Sequence, residues 1–209
     1  EESTLGTDPL VRDTDTDGLA DGLEVSLESD PLNMYSWPAA GIWPDRSQYA
    51  VTDGVAGTTI EIGQPFPDFT TFDQYGNDVS LYQFYGSVVL LDIVAEWCPV
   101  CNNMATGSAA MWEAQRENGF VILHVVINDN QFQSADQPVL ENWSSYFGLD
   151  FPVLGGSVST SLFEYIMATG LNNGAIPYMV VLDQNMNFVS GYIGGGNDTA
   201  ILTEVADLL

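Results

Sequence analysis

Cys98 and Cys101 are the only cysteines in this 209-residue chain, and two residues separate them. At that spacing on the first turn of a helix, two thiols can close into a disulfide and reopen, a reversible two-electron couple. The surroundings supply such a helix. Residues 88–95 are an apolar run broken by Asp92, and a helical pattern runs from Cys98 through Met111, Trp112 and Ala114 towards Arg116. Cys98 then falls at a helix N-terminus, where unpaired N–H groups and the helix dipole favour a thiolate. Zinc is set aside on ligand count, because two Cys and one His fall short of the four ligands it takes.

A second stretch offers oxygen chemistry. From Asp13 to Glu24 the chain reads DTDTDGLADGLE, with carboxylates Asp13, Asp15, Asp17, Asp21 and Glu24 at positions one, three, five, nine and twelve. Gly18 stands at position six, where a calcium loop turns sharply, and Leu19 follows with a backbone carbonyl. Six oxygen donors around one point suit a hard cation, Ca2+. Five carboxylates left together without one would repel.

The elements that must position these groups follow from periodicity. Residues 88–95 and 120–127 read as buried strands, and 151–154 as a short one. Residues 138–147 and 161–169 read as helices, the first with Pro138 in its opening turn. Residues 178–182 and 188–193 flank the turn 183–185 as a hairpin. A last helix, capped by Asn197 or Asp198, runs to Leu209. Residues 58–62 alternate like a short edge strand. The chain divides into an acidic segment 1–33, a connector 34–62 whose aromatics are expected to pack onto the rest, and an α/β domain 63–209.

The stretch from Leu91 to Cys98, LDIVAEWC, resembles the strand that leads into the active site of the thioredoxin superfamily. The lead-in from Gly63 to Thr70, with Asp73–Asn77 and Val79–Leu81, is similar to the TlpA-type and AhpC/TSA-related branches. The resemblance covers roughly residues 60–209. It implies a thioredoxin-like fold, a central mixed sheet flanked by helices, with the calcium-binding loop segment appended. It further implies that Cys98 is an exposed nucleophile, Cys101 the buried resolving thiol, and Asp92 the buried acid that relays the proton of Cys101. Thioredoxins pair that acid with a lysine, and this chain contains none. By the same resemblance Pro177 is a cis-proline beside the disulfide, and Ile176 before it offers backbone groups to an extended substrate. Trp97 is expected to flank the disulfide and share in substrate binding, and Glu96 to be exposed. His124 is expected to be satisfied locally, with no Cys–His pair.

The phrase Asp8-Pro9-Leu10, echoed at Asp30-Pro31-Leu32, resembles a thrombospondin type 3 repeat over about 8–33. Pro9 stands where the entering helix of an EF-hand would be. In that family the calcium is structural.

Composition bounds the function. There are 29 acidic residues against 3 basic ones, a net charge of −26. Such a surface repels nucleic acid and anionic membranes. A salty habitat or a calcium-rich exterior would explain it, and both place the protein outside the cytoplasm: periplasmic, cell-surface or secreted. No apolar run reaches the roughly 18 residues of a membrane span. The chain begins at Glu1, which leaves room upstream for a signal peptide or an anchor.

The expected activity is thiol–disulfide exchange as a protein-disulfide reductase, with no organic cofactor. Its expected partners are a protein or small-thiol disulfide substrate and an upstream electron donor, and a monomer is expected. Two alternatives stay open. One is a peroxiredoxin-like peroxidase, although the Thr-x-x-Cys of that family is absent. The other is a calcium-dependent surface module on a thioredoxin scaffold.

Overall fold

The computed structural model describes residues 6–38 and 41–209. Residues 1–5 of the acidic segment and 39–40 of the connector lie outside the described residues. Two strands build the centre. Strand β3 (Val88–Val94) and strand β4 (Phe120–Val126) are buried at every position and pair in parallel. Their β-branched residues suit a pleated surface covered on both faces. A two-stranded hairpin, β1 (Thr70–Phe72) and β2 (Asp78–Ser80), precedes them. Strands β5 (Val153–Leu154), β6 (Tyr178–Leu182) and β7 (Phe188–Ile193) complete a mixed five-stranded sheet in the order β5-β4-β3-β6-β7. Strand β6 runs antiparallel to both β3 and β7.

Two short helices, α1 (Asp21–Ser26) and α2 (Ser47–Thr52), precede the sheet. Four longer ones pack around it: α3 (Pro99–Glu113), α4 (Gln137–Phe147), α5 (Gly156–Ala168) and α6 (Asp198–Leu208). Helix α3 starts one residue later than its pattern predicts, because Cys98 is its N-cap and Pro99 takes the first position. It ends at Glu113, and residues 116–118 form a separate 3₁₀ turn closed by Gly119 in the left-handed conformation. Asp136 caps α4 by accepting from Val139 N at 3.2 Å. Helix α5 begins five residues before the expected start, since the pair Gly155-Gly156 forms its entry rather than a loop. Asn197 precedes α6, but its side chain donates back to the Ile193 and Gly194 carbonyls instead of capping.

The predicted edge strand at 58–62 does not form. Gln64 N closes a turn on Glu61 O, and Gly63 takes a positive φ. Just beyond it, an isolated bridge pairs Pro65 with Asn187, the residue before β7, and Phe188 N donates to Gln64 O at 2.9 Å. The connector is welded to the sheet domain by side chains. Trp37 and Trp43 are buried in the common core. Trp43 Nε1 donates to Asp73 at 2.7 Å, and the ring of Trp37 lies 5.8 Å from Phe84. Arg46 is fully buried, donates to Ser87 at the threshold of β3, and lies 5.4 Å above the Tyr35 ring. No helix among the described residues is long and apolar enough to cross a membrane.

Candidate active site

Strand β3 delivers Ala95 to a turn, in which Cys98 N donates to Ala95 O, and α3 begins immediately after. The two cysteines form a disulfide across the first turn of that helix. Cys101 N donates to Cys98 Sγ at 3.2 Å, so the helix terminus points a backbone donor at the first sulfur. Asn102 ties the approach down by donating to the carbonyls of Glu96 and Cys98, at 2.9 and 2.8 Å. Cys98 is less exposed than expected: 4% of its surface is accessible, against none for Cys101. Its neighbours in sequence are more open, Trp97 at 37% and Val100 at 47%.

The Ile176–Pro177 peptide bond is cis and lies just before β6. Cys98 Sγ is 4.0 Å from the Ile176 carbonyl oxygen, so the disulfide and this backbone face each other. Trp97 and Ile176 line a shared groove with Phe163 and Met167 of α5. Phe132, 65% exposed, places its ring 5.1 Å from Trp97 and extends this apolar lip. Glu96 is half-buried, not exposed, and accepts from Asn130 N at 3.0 Å.

Asp92 is buried in mid-strand. Its partner is His124, which occupies the paired position on β4. His124 Nε2 lies 3.3 Å from Asp92 Oδ2 and 3.2 Å from Ser108 Oγ on α3. Trp143 Nε1 on α4 donates to His124 Nδ1 at 3.0 Å. Asp92 Oδ1 has no hydrogen-bond partner among the described residues. Neither Ser108 nor Trp143 stood out in the sequence. One signal was available, for β3 and β4 are both seven residues long and carry Asp92 and His124 as their fifth.

The acidic loop folds around its own backbone. Asp13 accepts from Thr16 N and Gly18 N, Asp15 from Asp17 N, and Asp17 from Leu19 N. The carboxylates of Asp13, Asp15 and Asp17 lie within 4.8 Å of one another. Asp15 Oδ2, Asp17 Oδ2 and Glu24 Oε2 are buried without a partner. Asp17 and Glu24 are fully buried, and each orphaned oxygen costs about 1–3 kcal/mol if nothing binds it. Burial pushes Asp15 up to about 7, Asp17 to about 6 and Glu24 to about 8. For Asp15 and Glu24 the next cause is carboxylate repulsion. This donor set fits a hard cation.

Asp21 differs from its sequence assignment. Both its oxygens accept from Thr14, from N and from Oγ1, each at 2.7 Å, so it braces the loop. The loop rests on the connector: Asp45 N donates to Asp17 O at 2.8 Å. Gly18 has φ +96°, and a side chain there would start 2.6 Å from the Asp45 carbonyl.

Comparison with known families decides the affiliation. The AhpC/TSA family matches residues 62–190, more than half of the chain. The chain belongs to the AhpC/TSA family. The bacterial TSP3 repeat matches residues 13–33, in line with the resemblance read from the acidic loop. Among curated relatives of this AhpC/TSA protein is the probable phospholipid hydroperoxide glutathione peroxidase 6 of Arabidopsis thaliana. It is 25% identical over 154 residues, 68% of this chain and 66% of the relative. The chain spans 64–66% of the length of the curated relatives it matches.

Solved structures share the fold. A thiol:disulfide interchange protein of the thioredoxin family from Chlorobium tepidum superposes with a TM-score of 0.55 at 20% identity. That match covers 69% of this chain and 94% of the other. A secreted Mycobacterium tuberculosis disulfide oxidoreductase gives 0.52 at 17% identity, covering 67% and 96%. The fold is thioredoxin-like, as the resemblance implied.

Proposed function

We propose that this protein is an extracytoplasmic thiol–disulfide oxidoreductase that works chiefly as a protein-disulfide reductase. One observation carries the reading. A disulfide at a helix N-terminus faces the free backbone of Ile176, with Cys98 Sγ 4.0 Å from that carbonyl. A substrate strand laid against Ile176 and Pro177 presents its disulfide to Cys98, with Trp97 beside it. Reduced Cys98 attacks, a mixed disulfide forms, and Cys101 resolves it while Asp92 takes the proton of the Cys101 thiol. An electron donor must then restore the dithiol. The related disulfide oxidoreductase described as secreted supports the location.

The acidic loop is read as one structural Ca2+ site held by Asp13, Asp15, Asp17 and Glu24 with the Leu19 carbonyl, at about 2.3–2.6 Å. Asp21 organises the loop. In this reading the chain has three parts: the calcium loop in 1–33, the connector 34–62 and the thioredoxin-like domain 63–209. Reduction of a protein disulfide by the dithiol form tests the activity, and no turnover above the free-thiol background contradicts it.

The charges predict the redox poise. None of the three arginines faces Cys98: Arg12 is on the N-terminal loop, Arg46 is held at Ser87, and Arg116 lies over Trp112 at the far end of α3. Glu96 and the net charge of −26 oppose a thiolate, and the helix dipole alone favours it, by about 0.3–1 kcal/mol. A weakly stabilised thiolate means a less stabilised dithiol and a more negative potential. Equilibration with thiol buffers, followed by tryptophan fluorescence, should give about −270 to −200 mV. A value above about −150 mV would refute the electrostatic argument.

The peroxidase names among the relatives favour a second reading, peroxide reduction at Cys98. Val94, Ala95, Glu96 and Trp97 precede that cysteine, without the threonine of the peroxidase motif and with no arginine beside it. Peroxide consumption that outpaces disulfide exchange would make this the primary activity.

A further inference from the structure

Asp92 and His124 face each other across the parallel ladder, and the hydrogen bonds around His124 fix where its proton is. Indole N–H can donate and cannot accept. Trp143 Nε1 lies 3.0 Å from His124 Nδ1, so Nδ1 must be the unprotonated acceptor. The imidazole is then neutral and carries its hydrogen on Nε2. That hydrogen serves Ser108 Oγ at 3.2 Å, and Asp92 Oδ2 lies 3.3 Å from the same nitrogen. Phe151 and Trp143 close around the ring, with centroids 5.0 and 6.3 Å away, so it has little room to turn over. A proton on Nδ1 would set two N–H groups against each other.

The two oxygens of Asp92 are therefore unequal. Oδ2 lies 3.3 Å from the His124 Nε2 group, and Oδ1 is buried with no hydrogen-bond partner among the described residues. Asp92 also lines a cavity of about 340 Å³ between the sheet and helices α3 and α6, with Ser108, Met104 and Asp198 in its wall. Such a volume has room for several waters, each needing polar partners.

We infer that His124 is a positioning residue: held in its Nε2–H tautomer by Trp143, it occupies Asp92 Oδ2 and leaves Oδ1 as the atom that takes the proton of Cys101. This deepens the proposed reading and rests on Asp92 being that acceptor. A neutral donor orients the carboxylate without setting a positive charge beside it, as a lysine would. The step balances. The Cys101 proton passes to Asp92 Oδ1, the Cys101 sulfur bonds to Cys98 Sγ, and the substrate sulfur leaves as a thiolate. The Asp92 carboxyl, which lines the cavity, then gives its proton back to solvent through that space.

Two readouts test this. Nitrogen-resolved NMR of the histidine side chain at neutral pH should show one tautomer, protonated on Nε2. Trp143→Phe should release the second. A wild-type ring protonated on Nδ1 would overturn the inference. The second readout is the reaction of the dithiol protein with excess 5,5′-dithiobis(2-nitrobenzoate), which releases one chromophore on attack by Cys98 and another on resolution by Cys101.

His124→Phe should slow the second release about ten-fold and leave the first unchanged. His124→Gln keeps a neutral N–H donor and should hold the second release within about three-fold of wild type, which a purely space-filling role would not explain. Equal second-release rates in the Phe and Gln variants would overturn the positioning role. Should His124→Phe fail to fold, Trp143→Phe replaces it, with an expected slowing of about three-fold; an unchanged rate overturns the inference. Asp92→Asn separates the two levels. If it resolves as fast as wild type, the acceptor reading falls and the role of Oδ1 with it. If it is slow while the His124 variants are not, the acceptor stands and the positioning role falls.

Discussion

Cys98→Ser is expected to abolish thiol–disulfide exchange, and Cys101→Ser to convert the protein into a trap for mixed disulfides. The two thiols differ in access and in field. Cys98 retains a little accessible surface and faces the Ile176 backbone, where an incoming disulfide would lie. Cys101 has no accessible surface, and its own N–H points at Cys98 Sγ. Negative charge is thus favoured on the sulfur that substrate can reach. With Cys98 gone, no accessible nucleophile remains and activity falls to the uncatalysed background. With Cys101 gone, attack proceeds and resolution does not, so Cys98 stays covalently joined to its partner. Intact-mass measurement after exposure to a peptide disulfide reads both outcomes. Faster alkylation of Cys101 than of Cys98 in the reduced native protein would reverse the assignment.

Removal of calcium should loosen residues 6–33 and leave the five-stranded sheet folded, because their cohesion differs in kind. The sheet is held by apolar burial, whereas the loop gathers buried carboxylate oxygens without partners, which the proposed calcium ion would join. Free calcium at about a hundred times its dissociation constant would stabilise the loop by about 2.7 kcal/mol. The pH dependence has a definite sign. Without metal, Asp15, Asp17 and Glu24 lie near 7, 6 and 8, raised from ordinary carboxylate values. A raised folded-state value means the loop is most stable below the ordinary carboxylate range and loses stability as pH rises through about 6 to 8. With calcium the sign inverts, because protons compete for the same oxygens. Hydrogen exchange over residues 6–33 in chelator should therefore be slower, after correction for intrinsic rates, at about pH 5 than at about pH 8. Greater protection of the metal-free loop at the higher pH would contradict this. Loss of redox activity on chelation would show that the loop and the dithiol are coupled.

The fold and the dithiol were legible because each rests on a local pattern. A buried apolar strand, Cys-x-x-Cys and a proline before the sixth strand are each set by their own neighbours in sequence. The acidic TSP3 repeat was legible for the same reason, down to Gly18. What escaped was mostly tertiary. Asp92 showed as a costly acid in a buried strand, but its partner comes from strand β4, and that partner is fixed in turn by Trp143 from α4. Cys98 was expected to be open, and it lies within the packed core with 4% of its surface accessible. Asp21 matched a ligand position, yet a threonine seven residues earlier takes both its oxygens. The edge strand expected at 58–62 had the right alternation but does not form, and the turn that replaces it depends on Gly63 and Gln64 just beyond.

The connector bears on how this molecule can be divided. A shortened chain beginning at Gly63 would keep every strand and both cysteines, and by sequence likeness would pass as a complete domain. It would lose Trp37, Trp43, Ala50 and Ile60 from the shared core, the indole that holds Asp73, and the guanidinium seated behind Ser87. Opened in that way, the sheet domain would show water an apolar face and invite aggregation. The natural place to cut is therefore upstream of Trp37, and any evolutionary transplant of this domain into another architecture must bring its connector along.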